Sequence, residues 1–445
     1  MSVEQEIDPA LLRRWARTLR GPVVLPGNLA YDDVRRVWNL AIDRHPSSIV
    51  RCADVDDVRR TIEFARTHDL PLAVRSGGHS QAGHGTCDGG IVLDLGALRA
   101  QEVDRDRQVV RAASGARVSD VQNATQAHGL LTPMGGCPEV GIGGLTLGGG
   151  ENFLMARLGI VCDNVVRAEV VTADGEVVSA SADEHADLFW AIRGGGGNFG
   201  VVVSLEYRLY PAIDVLFGQL FFTIDRTKDA MRRYLTLVAD APDELNTSCG
   251  LAAPADGPAF SVNFCFCGAR SDGDRMLAAF RAALRADQDT VHWSPYGADL
   301  VVPAAPSVGT GFFIPRMRDE IVDAFADAVP QAPQGATAVF SHFHGAVTRV
   351  PVNAMAFPLR HPGFDLFITA PWHTPRGHEH ATRWTAALAG ALRPFARGVY
   401  VNNLNTDEAH RVRDAYGPNF DRLLAIKTTY DPANLFRVNH NVQPS

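Results

Sequence analysis

Cysteine is scarce and odd in number. Seven residues, Cys52, Cys87, Cys137, Cys162, Cys249, Cys265 and Cys267, are spread thinly along 445 positions. That argues against a disulfide framework and predicts a cytoplasmic chain. No hydrophobic run approaches the roughly 20 residues of a membrane-spanning helix, so a membrane partner is not expected. A long basic run is also missing. With a formal net charge of −8, the chain offers no basic face to a nucleic acid. Arg13 and Arg14 have no apolar segment behind them, so no cleaved signal is expected. Internal repeats and low-complexity tracts are absent too. The glycosylation-type triplets at Asn123 and Asn246 carry no meaning in a cytoplasmic chain.

What remains is an ordinary soluble composition, 46% apolar and 21% charged, on a chain too long for one core. Two domains are therefore expected. In the first two hundred residues strand-like and helix-like patterns alternate. "SSIVRCA" reads as a strand and "DVDDVRRTIEFARTHDL" as a helix, with apolar Val55, Val58, Ile62 and Ala65. "PLAVRSGG" returns as a second strand, making a βαβ unit. "GIVLDLGAL" and "RQVVRAASG" are further strands, and "ARVSDVQNATQAHGL" is a helix. "NVVRAEVVTADGEVVSAS" is a hairpin turning at Asp174 and Gly175. Beyond Pro211, longer segments such as "FGQLFFTID", "SDGDRMLAAFRAALRA" and "AVFSHFHGAVTRV" alternate as an antiparallel sheet with helices would. From about 405 the tail reads as helical through Ile426, before Asp431 and Pro432.

Glycine is where the chain is rich, and four clusters stand out: 77–78, 83–90, 135–150 and 194–200. Glycine lets a backbone approach a partner closely, and repeated glycine offers N–H groups to anionic oxygens. Tight turns are the alternative for any one cluster, but four in one domain favour a large flat or phosphorylated ligand. The spacing Gly195-x-Gly197-x-x-Gly200 fits the dinucleotide fingerprint. Its context is reversed, with a helix pattern before it and a strand pattern after it, which argues against a nicotinamide site.

Four motifs taken in order, "RSGGHS", "GGCPEVGIGGLTLGGG", "RGGGGNFGVV" and "YDPANLFRVNHNV", resemble the berberine bridge enzyme-like flavoproteins of the vanillyl-alcohol oxidase and p-cresol methylhydroxylase group. The resemblance covers nearly the whole chain. It implies an α+β, two-lobed FAD-binding fold with an inserted antiparallel-sheet substrate domain. Residues 1–212 would form the FAD lobe, completed by 405–445, and residues 213–404 the substrate lobe. His79 stands where the family bonds a histidine to the 8α-methyl of FAD. Cys137 stands where many members bond a cysteine to C6, so FAD held by two bonds is implied. Further cofactor contacts are implied at Arg75, Ser76, Gly77, Gly78, Ser80, Val140, Gly141, Gly143, Gly144, Gly197, Asn198, Gly200, Val202, Asn439 and Asn441.

Hydride removal beside oxygen or nitrogen leaves a proton to be accepted. A phenol needs a depressed pKa or a nearby cation for that task. Tyr400 matches the Y-x-N motif of bacterial relatives through Asn402, although Asn403 replaces the aromatic residue that often follows. Tyr416 and Glu151 are the reserve candidates, and Glu151 is open to two readings, a substrate contact or a helix cap. His342 and His344, and also His378 and His380, are spaced to share a strand face, but no cysteine or carboxylate set completes a metal site. The resemblance points His342 or His344 at substrate instead. Phe312, Phe313, Phe343, Phe357 and Phe367 are open between core and pocket.

The function implied is an FAD-dependent oxidase, with hydride passing to the flavin and O2 reduced to H2O2. Small Val140 favours oxygen access. The substrate expected is an alcohol or amine on a ring-containing secondary metabolite, handled by a monomer or homodimer. A carbohydrate oxidase, a flavin dehydrogenase and a flavin carrier without turnover are the alternatives.

Overall fold

In the computed structural model, the structure describes residues 7–252, 257, 259–297 and 302–445. The first six residues of the opening stretch, read above for a cleaved signal, lie outside that set. A four-stranded sheet runs in the order Val23–Val24, Ser48–Arg51, Ile91–Asp94, Leu72–Arg75. The βαβ unit is present, with Ile91–Asp94 inserted between its two strands and parallel to both. Its helix, Val55–Thr67, is capped by Asp54, whose carboxylate accepts from the Asp57 amide at 3.0 Å. Val58, Ile62 and Ala65 are fully buried under the sheet.

A second sheet is antiparallel and five-stranded: Gln101–Asp104, Val109–Ala113, Val201–Arg208, Val165–Val171, Val177–Ser181. The expected hairpin is its last pair, with Gly175 at φ 87° in the turn. These two sheets and the glycine-rich loops around them form the first lobe.

The second lobe is built on an eight-stranded antiparallel sheet. From Asp214–Phe222 its order continues Ala259–Phe266, Leu245–Ala252, Thr337–Phe343, Gly363–Pro371, Ser307–Ile314. Strand side chains alternate faces, and the alternation divides this sheet cleanly. Phe222, Phe260, Phe264, Phe340, Leu366 and Ile368 pack under the helices Thr227–Leu237, Arg270–Leu284, Asp319–Ala328 and Pro375–Leu392. The opposite face carries Phe217, Gln219, Asn246, Ser248, Asn263, Ser341, Asp365 and Phe367. It closes on the first lobe through Phe313 and Phe343.

Three local expectations differ from the structure. "AVFSHFHGAVTRV" is not one strand: it stops at Phe343, turns at Gly345 with φ 65°, and becomes a helical turn, Ala346–Arg349. His378 and His380 lie on the helix Pro375–Leu392, where residues two apart do not share a face. His380 Nε2 pairs with the Gln331 carbonyl at 3.0 Å, and His378 packs on Trp372. The C-terminal helix is broken at Gly417 and then runs on past Ile426 as Phe420–Tyr430, stopping one residue before the Asp431 that precedes Pro432.

That helix end holds a wholly buried ion pair. Lys427 Nζ donates to Asp431 Oδ2 at 2.6 Å, to the Asn198 carbonyl at 2.8 Å and to the Phe436 carbonyl at 3.0 Å. Asp431 in turn accepts from the Leu435 and Phe436 amides, both at 2.8 Å. Burial lowers the lysine pKa, and the bond to Asp431 opposes the shift. Removing one member strands the other charge. Lys427→Met is therefore expected to cost about 3–5 kcal/mol, read as a lower urea midpoint in equilibrium unfolding. An unchanged midpoint would show that the pair contributes nothing.

Candidate functional site

The turn after Leu72–Arg75 is shaped by contact with another loop. Gly77 and Gly141 lie backbone to backbone, and a Cβ on either would overlap the other. Ser76 Oγ donates to the Ser114 carbonyl at 2.5 Å, and Gly78 turns the chain with φ 70°. His79 follows, half-buried and stacked 5.7 Å from Trp38. Burial lowers its pKa, against an opposing pull from Glu139, so the imidazole is neutral with a free ring nitrogen at neutral pH. The Ser80 carbonyl accepts from the Gly83 amide at 3.0 Å, closing the next turn. Arg75 stands apart from the expected ligand set. Its buried guanidinium pairs with Asp94 at 2.8 Å and donates to the Val34 carbonyl at 2.8 Å, bracing the turn from behind.

Cys137 is a half-buried free thiol at the start of the second loop. Val140, also half-buried, accepts from the Val118 amide through its carbonyl at 2.9 Å, and the helix Ile142–Gly148 follows. Gly143 touches Ser76 and Ser114, whereas a side chain at Gly144 or Gly197 would enter open space. Gly200 and Val202 are structural. A Cβ at Gly200 would strike the neighbouring strand at Val170 and Val171, and Val202 is 3% exposed in the core.

Asn198 is fully buried with its amide completely committed. It donates to the Gly195 carbonyl at 2.9 Å and the His440 carbonyl at 3.3 Å, and accepts from the Val442 amide at 2.9 Å. Asn439 ties the same loop to the C-terminal segment by donating to the Gly197 and Phe436 carbonyls, both at 3.0 Å. Left without partners among the described residues are buried Asn439 Oδ1, Asn441 Oδ1 and Ser114 Oγ. Unmatched polar atoms beside open glycine faces fit a large, flat ligand with donors of its own, as FAD is.

Across the groove, Gly149 and Gly150 turn the chain with φ 136° and 90°. The Gly150 amide donates to Tyr400 Oη at 2.8 Å, and Asn402 Nδ2 donates to the same oxygen at 2.9 Å. The phenol is not depressed as a base would require. Burial, and then the charge of Glu151, push its pKa well above the ordinary range, and no cation opposes them; the two donors only partly offset the shift. Tyr416 is fully buried and donates to the Gly195 carbonyl at 3.0 Å, so it holds the glycine run rather than facing a ligand.

Glu151 caps no helix, because the helix after it, Met155–Leu158, begins from Leu154. Its side chain crosses to the second lobe and meets Asp365 and Ser341. Asp365 was not singled out from the sequence, and Asn403 and Asn246 were noted there only as a departure from the Y-x-N motif and as a glycosylation-type triplet. The one signal was a lone carboxylate inside the apolar strand "GFDLFITAP".

A cavity of ≈ 180 Å³ opens here, lined by Gly136, Glu151, Phe153, Phe217, Asn246, Ser248, Asn263 and Ser341 among others. A larger surface hollow, ≈ 490 Å³, lies around the already paired Arg107 and Glu206, remote from all these groups. The smaller cavity is the one that Glu151 lines. His342 and His344 do not face it. They stack on each other at 4.3 Å, and His342 lies on Phe364 toward the helix side, where burial lowers its pKa to about 3. Of the five phenylalanines, only Phe367 is not core: the other four are 0–2% exposed. Among the described residues no three metal-binding side chains come together, and no helix is long and apolar enough to cross a membrane.

Residues 46–181 match the FAD binding domain family, and residues 399–443 match the berberine and berberine like family. The (R)-6-hydroxynicotine oxidase of Paenarthrobacter nicotinovorans is 30% identical over 453 residues, covering 96% of this chain and 97% of that protein. An uncharacterised FAD-linked oxidoreductase of Bacillus subtilis, YgaK, is 27% identical over 440 residues, 96% and 97% of the two chains. The crystal structure of 6-hydroxy-D-nicotine oxidase from Arthrobacter nicotinovorans superposes with a TM-score of 0.86 at 27% identity, covering 96% of this chain and 98% of that one. Physcomitrella patens BBE-like 1 shares the fold, with a TM-score of 0.87 at 21% identity over 95% and 97% of the chains. With its glycine loops, terminal asparagines and inserted sheet in this arrangement, the chain belongs to the berberine bridge enzyme-like FAD-linked oxidoreductases, in the two-lobed fold of the vanillyl-alcohol oxidase group.

Proposed function

We propose that the protein is an oxidase acting on an alcohol or amine carbon of a small ring-containing metabolite, with O2 reduced to H2O2. The observation that carries this reading is the junction at Gly148–Gly150. There the cofactor groove of one lobe meets Tyr400, Glu151 and the polar face of the inserted sheet. On this reading residues 1–212 with 405–445 hold FAD, and 213–404 hold substrate. FAD, when bound, supplies the hydride acceptor and the route to O2. Val140, half-buried beside Gly141, is on this reading the small residue that admits oxygen.

His79 and Cys137 are the proposed covalent anchors, one from each of the two loops that meet at Gly77 and Gly141. Tyr400 is the proposed proton acceptor. Its oxygen already receives two donors, which stabilise negative charge on it once a proton has left. A carbohydrate hemiacetal is the second reading. It is favoured by the hydroxyl and amide row of Gln219, Asn263 and Ser248, linked at 2.5 and 2.7 Å.

Intact mass after acid denaturation tests the anchors. One FAD is expected to remain on the wild type and on each of His79→Ala and Cys137→Ala, and none on the double variant. A bare wild-type mass refutes covalent attachment. Tyr400→Phe is expected to keep its flavin yet slow anaerobic flavin reduction by about 10²–10⁴-fold. Unchanged reduction would remove Tyr400 from proton transfer. Peroxide release on an alcohol, amine and sugar panel decides oxidase against dehydrogenase or carrier.

A further inference from the structure

Glu151 and Asp365 come from opposite lobes and meet at the edge of the cavity. Asp365 is 2% exposed, on the sheet face that closes on the first lobe, opposite Ser341 in register. Its Oδ2 accepts from Asn403 Nδ2 at 2.6 Å. Its Oδ1 and Glu151 Oε1 are both buried, and neither has a donor from any other described residue. Two ionised carboxylates cannot share such a place, so the pair keeps a proton. Burial raises the pKa of both carboxyls; at Glu151 the bonds from Asp365 and Ser341 oppose the shift, whereas at Asp365 the Glu151 charge adds to it. The proton therefore belongs to Asp365.

No lysine, arginine or histidine among the described residues acts on either carboxyl. Buried Arg411 is already matched by Glu408, and buried Arg360 by Asp163. A second observation points the same way. Asn246, 7% exposed and lining the same cavity, leaves its acceptor Oδ1 without a donor. Gln219 and Asn263 each commit one amide donor within the side-chain row. The cavity thus presents a negative charge and an unmatched acceptor, flanked by the rings of Phe153 and Phe217, 4.8 Å apart. Aromatic faces also attract cations. At ≈ 180 Å³ it has room for one small ring, since about 150 Å³ accommodates benzene.

We infer that Glu151, with Asp365 and Asn246, is the counter-ion site for a protonated nitrogen on a small-ring substrate. This rests on the oxidase reading above and selects the amine over the alcohol or sugar within it. The charge binds the substrate as it arrives, before any proton leaves. Asp365 is a positioning residue: its proton keeps the Glu151 charge in place.

The test titrates the flavin-loaded enzyme with benzylamine, benzyl alcohol and benzoate at pH 7, following the flavin absorbance band. Benzylammonium is expected to bind at least about tenfold more tightly than benzyl alcohol, and benzoate not at all. Glu151→Gln is expected to abolish the preference with flavin content unchanged, whereas Asp365→Asn, isosteric with the protonated acid, retains it. Equal affinity of the wild type for amine and alcohol overturns the inference, as does an undiminished preference in Glu151→Gln. If Glu151→Gln does not fold, the wild-type comparison with Asn246→Ala, expected to weaken benzylamine alone, decides. A protein that purifies without flavin would instead refute the oxidase reading. A flavin-loaded enzyme that oxidises alcohols or sugars without amine preference refutes only this inference.

Discussion

Everything at this site depends on two backbones touching at Gly77 and Gly141. A side chain on either would hold the loops apart, and the separation would pass directly to His79 on one and Cys137 on the other. The contact is braced on both sides, by Ser76 on the Ser114 carbonyl and by the Arg75–Asp94 ion pair. The arginine and serine of the "RSGGHS" turn therefore serve the loop's position, and the histidine at its end is left free. A half-buried, neutral imidazole has a ring nitrogen free to react in a way that a protonated one does not.

The C-terminal segment completes the groove by a different physical means. Lys427 and Asp431 are fully buried, and between them they satisfy backbone groups of the glycine run and of the terminal loop. An ion pair in such a place is a poor source of net stability compared with apolar packing. Its directional bonds instead hold the terminal loop on which Asn439 and Asn441 lie, with their buried, unpartnered oxygens. Tyr416 and Asn198 act on the same run from its other side. The proposed flavin site is thus a set of glycine loops made rigid from outside.

The substrate side follows from strand parity. The helix-covered face of the large sheet is almost wholly apolar, while the other holds amides, hydroxyls and one carboxylic acid. Placing Asp365 there is tolerable because Glu151 arrives from the other lobe to share its proton and Asn403 donates to it. That carboxyl pair and Tyr400 are coupled in turn, since the Glu151 charge is one cause of the raised phenol pKa. The lobe junction is therefore one electrostatic unit: neutralising Glu151 by a bound cation would lower the pKa of Tyr400, the direction that proton acceptance requires.

Local chemistry made much of this legible before any coordinates. Turns that demand glycine, the helix in "DVDDVRRTIEFARTHDL", the hairpin at Asp174 and Gly175, and the reversed order around Gly195 all depend on neighbours within a few positions. Four such motifs in order also identified the cofactor and the family. Sequence alone was misleading wherever a residue's role depended on which way a strand faced or on what a distant segment placed opposite it. His342 and His344 had the right spacing but lay on the helix-covered face. Arg75 belonged to a ligand motif yet faced Asp94, and Glu151 stayed open between a substrate contact and a cap until Asp365 stood across from it. Short-range sterics and hydrogen bonding are written along the chain. The partner of a buried charge is decided only when two lobes close, because desolvation and proton sharing act through space.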